Sequence, residues 1–172
     1  LPLRRAPQIP TVEAQTGLPV VPGAYGFGMD TRAAYACGVD PVIYKVTNLD
    51  DSGFGSLRYA LESSGPRVII FEVSGYIDIS SEIIVSSPCV TIAGQTAPSP
   101  GITIRGVGSF SGPWVNISTG GHDVLWQHLR VRPGDTTCNS GMQTLYDVDY
   151  YNLVFDHMSI SWGQDDNIGF NS

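Results

Sequence analysis

Two stretches of this chain fall on one another when the second is slid back so that Leu153 lies on Val124. Val124-Leu125-Trp126-Gln127-His128-Leu129-Arg130-Val131 then sits over Leu153-Val154-Phe155-Asp156-His157-Met158-Ser159-Ile160. Thr91-Ile92-Ala93-Gly94 and Thr103-Ile104-Arg105-Gly106 echo each other in the same way. A repeat of the first length predicts stacked coils, and the shorter echo predicts successive edges of one coil. In a parallel β-helix each coil lays its inward apolar side chains beneath those of the next. Backbone hydrogen bonds then join coils about 4.8 Å apart.

The rest of the chain agrees with that architecture. Short β-branched segments recur at residues 42–47, 68–73, 76–79, 82–85, 89–93, 102–105, 113–118, 124–131 and 153–160, too close together for crossover helices. Apolar residues make up 42% and charged residues 15%, and 20 Gly with 12 Pro interrupt the chain too often for a helical bundle. One helix is expected at about 56–64: Ser56 is an N-cap, Leu57, Ala60 and Leu61 share a face, and Gly65-Pro66 supplies the stop. An open coil end exposes a strand edge, and this helix is placed to cover the N-terminal one. The competing β-sandwich needs hairpins, and no Asn-Gly or Asp-Gly pair stands between strands. The expected fold class is all-β: an extended leader over residues 1–40 packing on a single β-helical domain over 41–172.

Charge and cysteine usage narrow the function. Nine Lys and Arg against 16 Asp and Glu leave a net charge of −7, a poor partner for nucleic acid, whose binding rests on cationic contacts to phosphate. No apolar run approaches the roughly 20 residues that span a bilayer, so no membrane partner is expected. Beyond Arg132 there is no Lys or Arg, while Asp135, Asp147, Asp149, Asp156, Asp165 and Asp166 follow; crowded carboxylates there suit a hard cation or a solvated acidic surface. Cys37, Cys89 and Cys138 allow at most one intramolecular disulfide, of undetermined pairing. The start at Leu1, the lack of an apolar signal core and the sequon Asn116-Ile117-Ser118 predict a processed, secreted glycoprotein.

Several strings in order carry a family resemblance from Val21 to the end. They are Pro22-Gly23-Ala24-Tyr25-Gly26-Phe27-Gly28, Tyr44-Lys45-Val46-Thr47-Asn48-Leu49-Asp50-Asp51-Ser52-Gly53-Phe54-Gly55-Ser56-Leu57-Arg58 and Ser74-Gly75-Tyr76-Ile77. Further along come Thr91-Ile92-Ala93-Gly94-Gln95-Thr96-Ala97-Pro98, Leu129-Arg130-Val131-Arg132-Pro133-Gly134-Asp135 and Phe155-Asp156-His157-Met158-Ser159-Ile160-Ser161-Trp162-Gly163-Gln164-Asp165-Asp166. The chain resembles the pectate lyases of the right-handed parallel β-helix class, as an N-terminal half or a shortened member. The resemblance implies a secreted enzyme that cleaves polygalacturonate by β-elimination with calcium (Ca2+), the ion stabilising charge that develops beside the uronate carboxylate.

On that resemblance Asp165 and Asp166 match the acidic pair after the family's Ser-Trp-Gly string and are expected as metal ligands with Asp135. Asp156 and His157 match an Asp-His string, expected to orient neighbouring groups, and His157 falls over His128 in the repeat as a structural ladder. Arg130 and Arg132 are expected to clamp substrate carboxylates or to pair with the acidic run. Trp126 and Trp162 offer stacking surfaces for sugar rings or fill the core. The chain departs from the family at Tyr25, at residues 33–38 and at Gln143, where the family carries Glu, a Gly-rich basic loop and Asp. Gln143 thus removes a negative charge from the expected metal site. The family's proton-accepting arginine has no matching position, so the catalytic base is unassigned. An uncovered C-terminal coil would call for self-association or a further segment. Two alternatives follow: a carbohydrate-binding or scaffold β-helix without turnover, and a β-helix glycoside hydrolase using Asp156 with Asp165 or Asp166.

Overall fold

The structure, a computed structural model, describes residues 19–26, 28–108, 113–117, 121–133, 151–163 and 166–170, together with the backbone of 142–144. Along the chain lie β1 (Val42–Val46), α1 (Leu57–Glu62), β2 (Arg67–Phe71), β3 (Gly75–Ile79), β4 (Ile83–Val85), β5 (Val90–Ala93), β6 (Ile102–Gly106) and β7 (Val115–Ile117). They continue as β8 (Val124–Gln127), β9 (Arg130–Arg132), β10 (Met142–Thr144), β11 (Leu153–Asp156), β12 (Ser159–Ile160) and β13 (Ile168–Gly169). These strands form three sheets in the orders β1-β2-β5-β8-β11, β3-β6-β9-β12 and β4-β7-β10-β13. Every pairing is parallel. Consecutive strands therefore lie in different sheets, and the chain winds through about four turns of a β-solenoid.

Alternation along each strand explains the register. In the second sheet Ile77, Ile104, Val131 and Ile160 lie one above another; in the first, Ile69, Ile92, Trp126 and Phe155 do the same. All but Phe155 and Ile160 are buried, and those two pack against the same core. Side chains of opposite parity point out, which is how a column of apolar rungs acquires a polar exterior. Trp114 enters this core beside β6 because the facing residue is Gly106, where a Cβ would lie 2.2 Å from the indole.

The helix is shorter than expected but begins where the cap predicts: the Ser56 hydroxyl accepts a hydrogen bond from the Tyr59 amide at 3.2 Å. Leu57, Ala60 and Leu61 are buried in the core cluster, and α1 packs against β1 and β4. None of the described helices is long and apolar enough to cross a membrane.

Two expected strands, 124–131 and 153–160, are each broken in the middle. His128 and His157 adopt left-handed backbone conformations, with φ of 55° and 53°, and turn β8 into β9 and β11 into β12. A left-handed residue cannot continue a strand, and His is among the side chains that enter that region more readily. The corner leading into the first sheet repeats the device: Cys89, Asp123 and Asn152 have φ of 59°, 53° and 55°.

The described part of the N-terminal segment lies on the outside of the first sheet. Val20, Val21, Met29 and Ala33 pack with Leu125 and Val154, while Thr31 donates a hydrogen bond to the buried Asp123. Cys37 is disulfide-bonded to Cys89, at a Cα separation of 6.0 Å; Cys138 lies outside the described residues. Asn116 of the sequon is buried in β7, and its amide donates to Glu82 at 2.5 Å. The folded chain therefore presents no accessible acceptor nitrogen there.

Candidate functional site

The outward face of β3-β6-β9-β12 concentrates cationic and aromatic side chains on an otherwise acidic protein. Strand alternation sends Tyr76 and Asp78 of β3, Thr103 and Arg105 of β6, Arg130 and Arg132 of β9, and Ser159 of β12 to one side. Register then aligns them in two rows, Tyr76-Thr103-Arg130-Ser159 and Asp78-Arg105-Arg132.

Within those rows the guanidinium groups have different partners. Arg105 grips Asp78 through two bonds of 2.7 Å and lies 4.8 Å from the centre of the Tyr76 ring. Those bonds from Arg105 hold the Asp78 carboxyl below the usual carboxylate range, and Asp78 raises Arg105 in return. Arg130 donates to the Thr103 hydroxyl at 2.7 Å and to the Pro100 carbonyl at 2.8 Å. Arg132 donates to the Ser159 carbonyl and hydroxyl at 2.6 and 2.7 Å, and lies 5.8 Å from the Trp162 ring centre. Among the described residues neither Arg130 nor Arg132 forms an ion pair. Among the described residues both are thus oriented by neutral oxygens, and a guanidinium so held suits planar, bidentate recognition of carboxylates. Trp162 is 70% exposed beside them, whereas Trp126 is fully buried in the core.

A second polar assembly occupies the corner between the first and second sheets. Gln95 donates to Gln127 at 3.0 Å, Gln127 donates to Asp156 at 2.9 Å, and the Asp156 carboxylate meets Nδ1 of His157 at 2.5 Å. The His157 ring stacks on that of His128 at 4.5 Å with planes 13° apart, the ladder expected from the repeat. Partial burial alone would raise the Asp156 pKa. The bonds from Gln127 and His157, with the charges of His157 and His128, outweigh it and leave the carboxyl below its usual range.

The remaining sequence-predicted residues are dispersed or lie outside the described residues, as Asp135 and Asp165 do. Gln143 belongs to β10 in the third sheet, its backbone paired with Asn116 and Gly169; nothing is described of its side chain. Asp166 follows β12, is exposed, and belongs to neither group of His, Cys, Asp and Glu that comes within ligand reach among the described residues. Those groups are His128-Asp156-His157 and Cys89-His122-Asp123. Sequence reading passed over Arg105 and Asp123. Arg105 was available from spacing, since Asp78 and Arg105 stand 27 residues apart, as do Thr103 and Arg130. Asp123 binds its neighbour His122 and the remote Thr31 and Asn152, and no local pattern announces the two remote contacts.

No family model matches the chain. It is, however, similar to curated fungal proteins named "Probable pectate lyase C". That of Aspergillus oryzae is 41% identical over 157 residues, which is 91% of this chain and 34% of the relative. That of Neosartorya fischeri is 41% identical over 160 residues, and that of Emericella nidulans 42% over 159, each covering 92% of this chain and 34% of the relative. The chain spans about a third of the length of these relatives. Over nine-tenths of its length, this parallel β-solenoid is therefore similar to proteins that carry that name.

Proposed function

We propose that the protein is an extracellular, lyase-type β-solenoid that binds an acidic polysaccharide of the polygalacturonate class and takes part in its cleavage by β-elimination. The observation that carries the reading is the pair Arg130 and Arg132, aligned on one outward strand with only neutral hydrogen-bond partners among the described residues. On a chain of net charge −7, a strip of adjacent guanidinium groups is the feature that a polyanion would find. Trp162 beside Arg132 supplies an apolar wall against which a sugar ring can lie. The Cys37–Cys89 disulfide supports an oxidising, extracellular setting.

Calcium belongs to this proposal, with Asp135, Asp165 and Asp166 as its oxygen donors. Carboxylates suit a hard cation, and the ion when bound would stabilise negative charge beside a uronate carboxylate. Of the three, the described Asp166 has the exposure such a role needs. In this reading the arginines orient the uronate carboxylates, and Asp156 holds its neighbours in place through Gln127 and His157.

Incubation with polygalacturonate should release unsaturated uronides, detected by the ultraviolet absorbance of the new double bond, with calcium and not with a chelator. Binding without product would support the non-catalytic reading. New reducing ends without that absorbance would support hydrolysis.

A further inference from the structure

We propose that His128, Asp156 and His157 form a binding site for one divalent transition-metal ion of the zinc, copper or nickel class. The inference goes beyond the lyase reading and does not rest on it. The two imidazoles stand one coil apart, both placed by the same left-handed corner. Their ring centres are 4.5 Å apart, and one ligand atom from each of the three residues lies within 4.8 Å of the others.

The surroundings prepare these groups for a metal. Asp156 is fixed by the Gln95–Gln127 chain and meets Nδ1 of His157. That carboxylate oxygen and Nδ1 are already neighbours, as two donors to one ion must be. The His157 side chain is 67% exposed and His128 is also exposed, so an ion reaches them without the fold opening. Bond lengths of about 2.0–2.1 Å place tetrahedral donors roughly 3.3 Å apart, so the two exposed, nearly parallel rings take up an ion by rotating toward each other. Imidazole selects zinc, copper and nickel over calcium, which prefers oxygen. This donor set therefore differs in kind from Asp135, Asp165 and Asp166. The other group within reach, Cys89-His122-Asp123, is not comparable, because the Cys89 sulfur is in the disulfide and Asp123 is held by Thr31 and Asn152.

The test is calorimetric titration of the metal-stripped, oxidised protein with zinc chloride, paired with nuclear magnetic resonance of the three histidine rings. The expected result is one zinc per chain, with the resonances of His128 and His157 shifting and those of His122 unmoved. His128→Asn and His157→Asn, chosen because Asn tolerates the left-handed backbone, should each weaken binding at least about tenfold with the circular dichroism spectrum unchanged. No heat at millimolar zinc would overturn the proposal. So would equal affinity in the folded double variant, or a response from His122 alone.

Discussion

Arg67 lies fully buried at the start of β2, where its Nη2 donates to the carbonyl of Leu61 at 2.6 Å and its Nε to that of Ala60 at 2.9 Å. The last turn of α1 thus has its orphan carbonyls satisfied by a guanidinium from the neighbouring strand, a substitute for a glycine cap. Burial pushes the Arg67 pKa down to about 10, which leaves it charged at neutral pH. Arg67→Met keeps much of the volume but abandons those carbonyls. The expected cost is about 3 kcal/mol, read as a lowered midpoint in urea unfolding. An unchanged midpoint would mean that the helix end is held by other contacts.

At Gly94 one coil closely approaches the next. A Cβ there would lie 2.3 Å from the Gln127 carbonyl oxygen and 2.8 Å from that of His128, and backbone atoms cannot swing aside as a side chain does. Gly94→Ala is expected to destabilise the protein by about 2–3 kcal/mol. Gly65→Ala, whose Cβ would meet nothing within 4 Å, separates collision from strain, because it carries only the cost of a left-handed alanine, about 1–2 kcal/mol. Thermal unfolding of the two variants compares them directly.

Acid should weaken the fold through Asp51. Partial burial alone would raise its pKa, but bonds from Ser80 and Arg58, at 2.7 and 2.6 Å, more than offset this and depress it. A carboxyl depressed in the folded state contributes stability that is full above its unfolded pKa of about 3.9 and is lost as pH falls through the folded value. Asp51→Asn is expected to cost about 1–2 kcal/mol at pH 7, and the loss should fade below about pH 4. Denaturant midpoints across pH 2–7 check this; a constant difference would contradict it.

The winding of the chain was legible because inward residues repeat from coil to coil: Ile77, Ile104 and Val131 each reappear beneath the next rung. The corners were not. His128 and His157 read as interior strand residues in a polar-apolar alternation, and only their backbone angles reveal the turn. Strands β10 and β13 were missed because residues 142–144 and 168–169 are too short to show a period. In the candidate site, Arg130 and Arg132 were accessible through resemblance and charge. The pairing of Cys37 with Cys89 was not, since it depends on where the N-terminal segment crosses the first sheet.

The arginine face of the second sheet is expected to bind a polyuronate. Calorimetry with a galacturonate oligomer should give saturable binding that weakens by at least about 100-fold in Arg130→Gln/Arg132→Gln, two charged hydrogen-bond pairs at about 1.5–3 kcal/mol each. The uncharged, methyl-esterified oligomer should bind neither protein. Equal affinity of the double variant for the galacturonate oligomer, or equal affinity of the unsubstituted protein for the esterified one, would contradict the account.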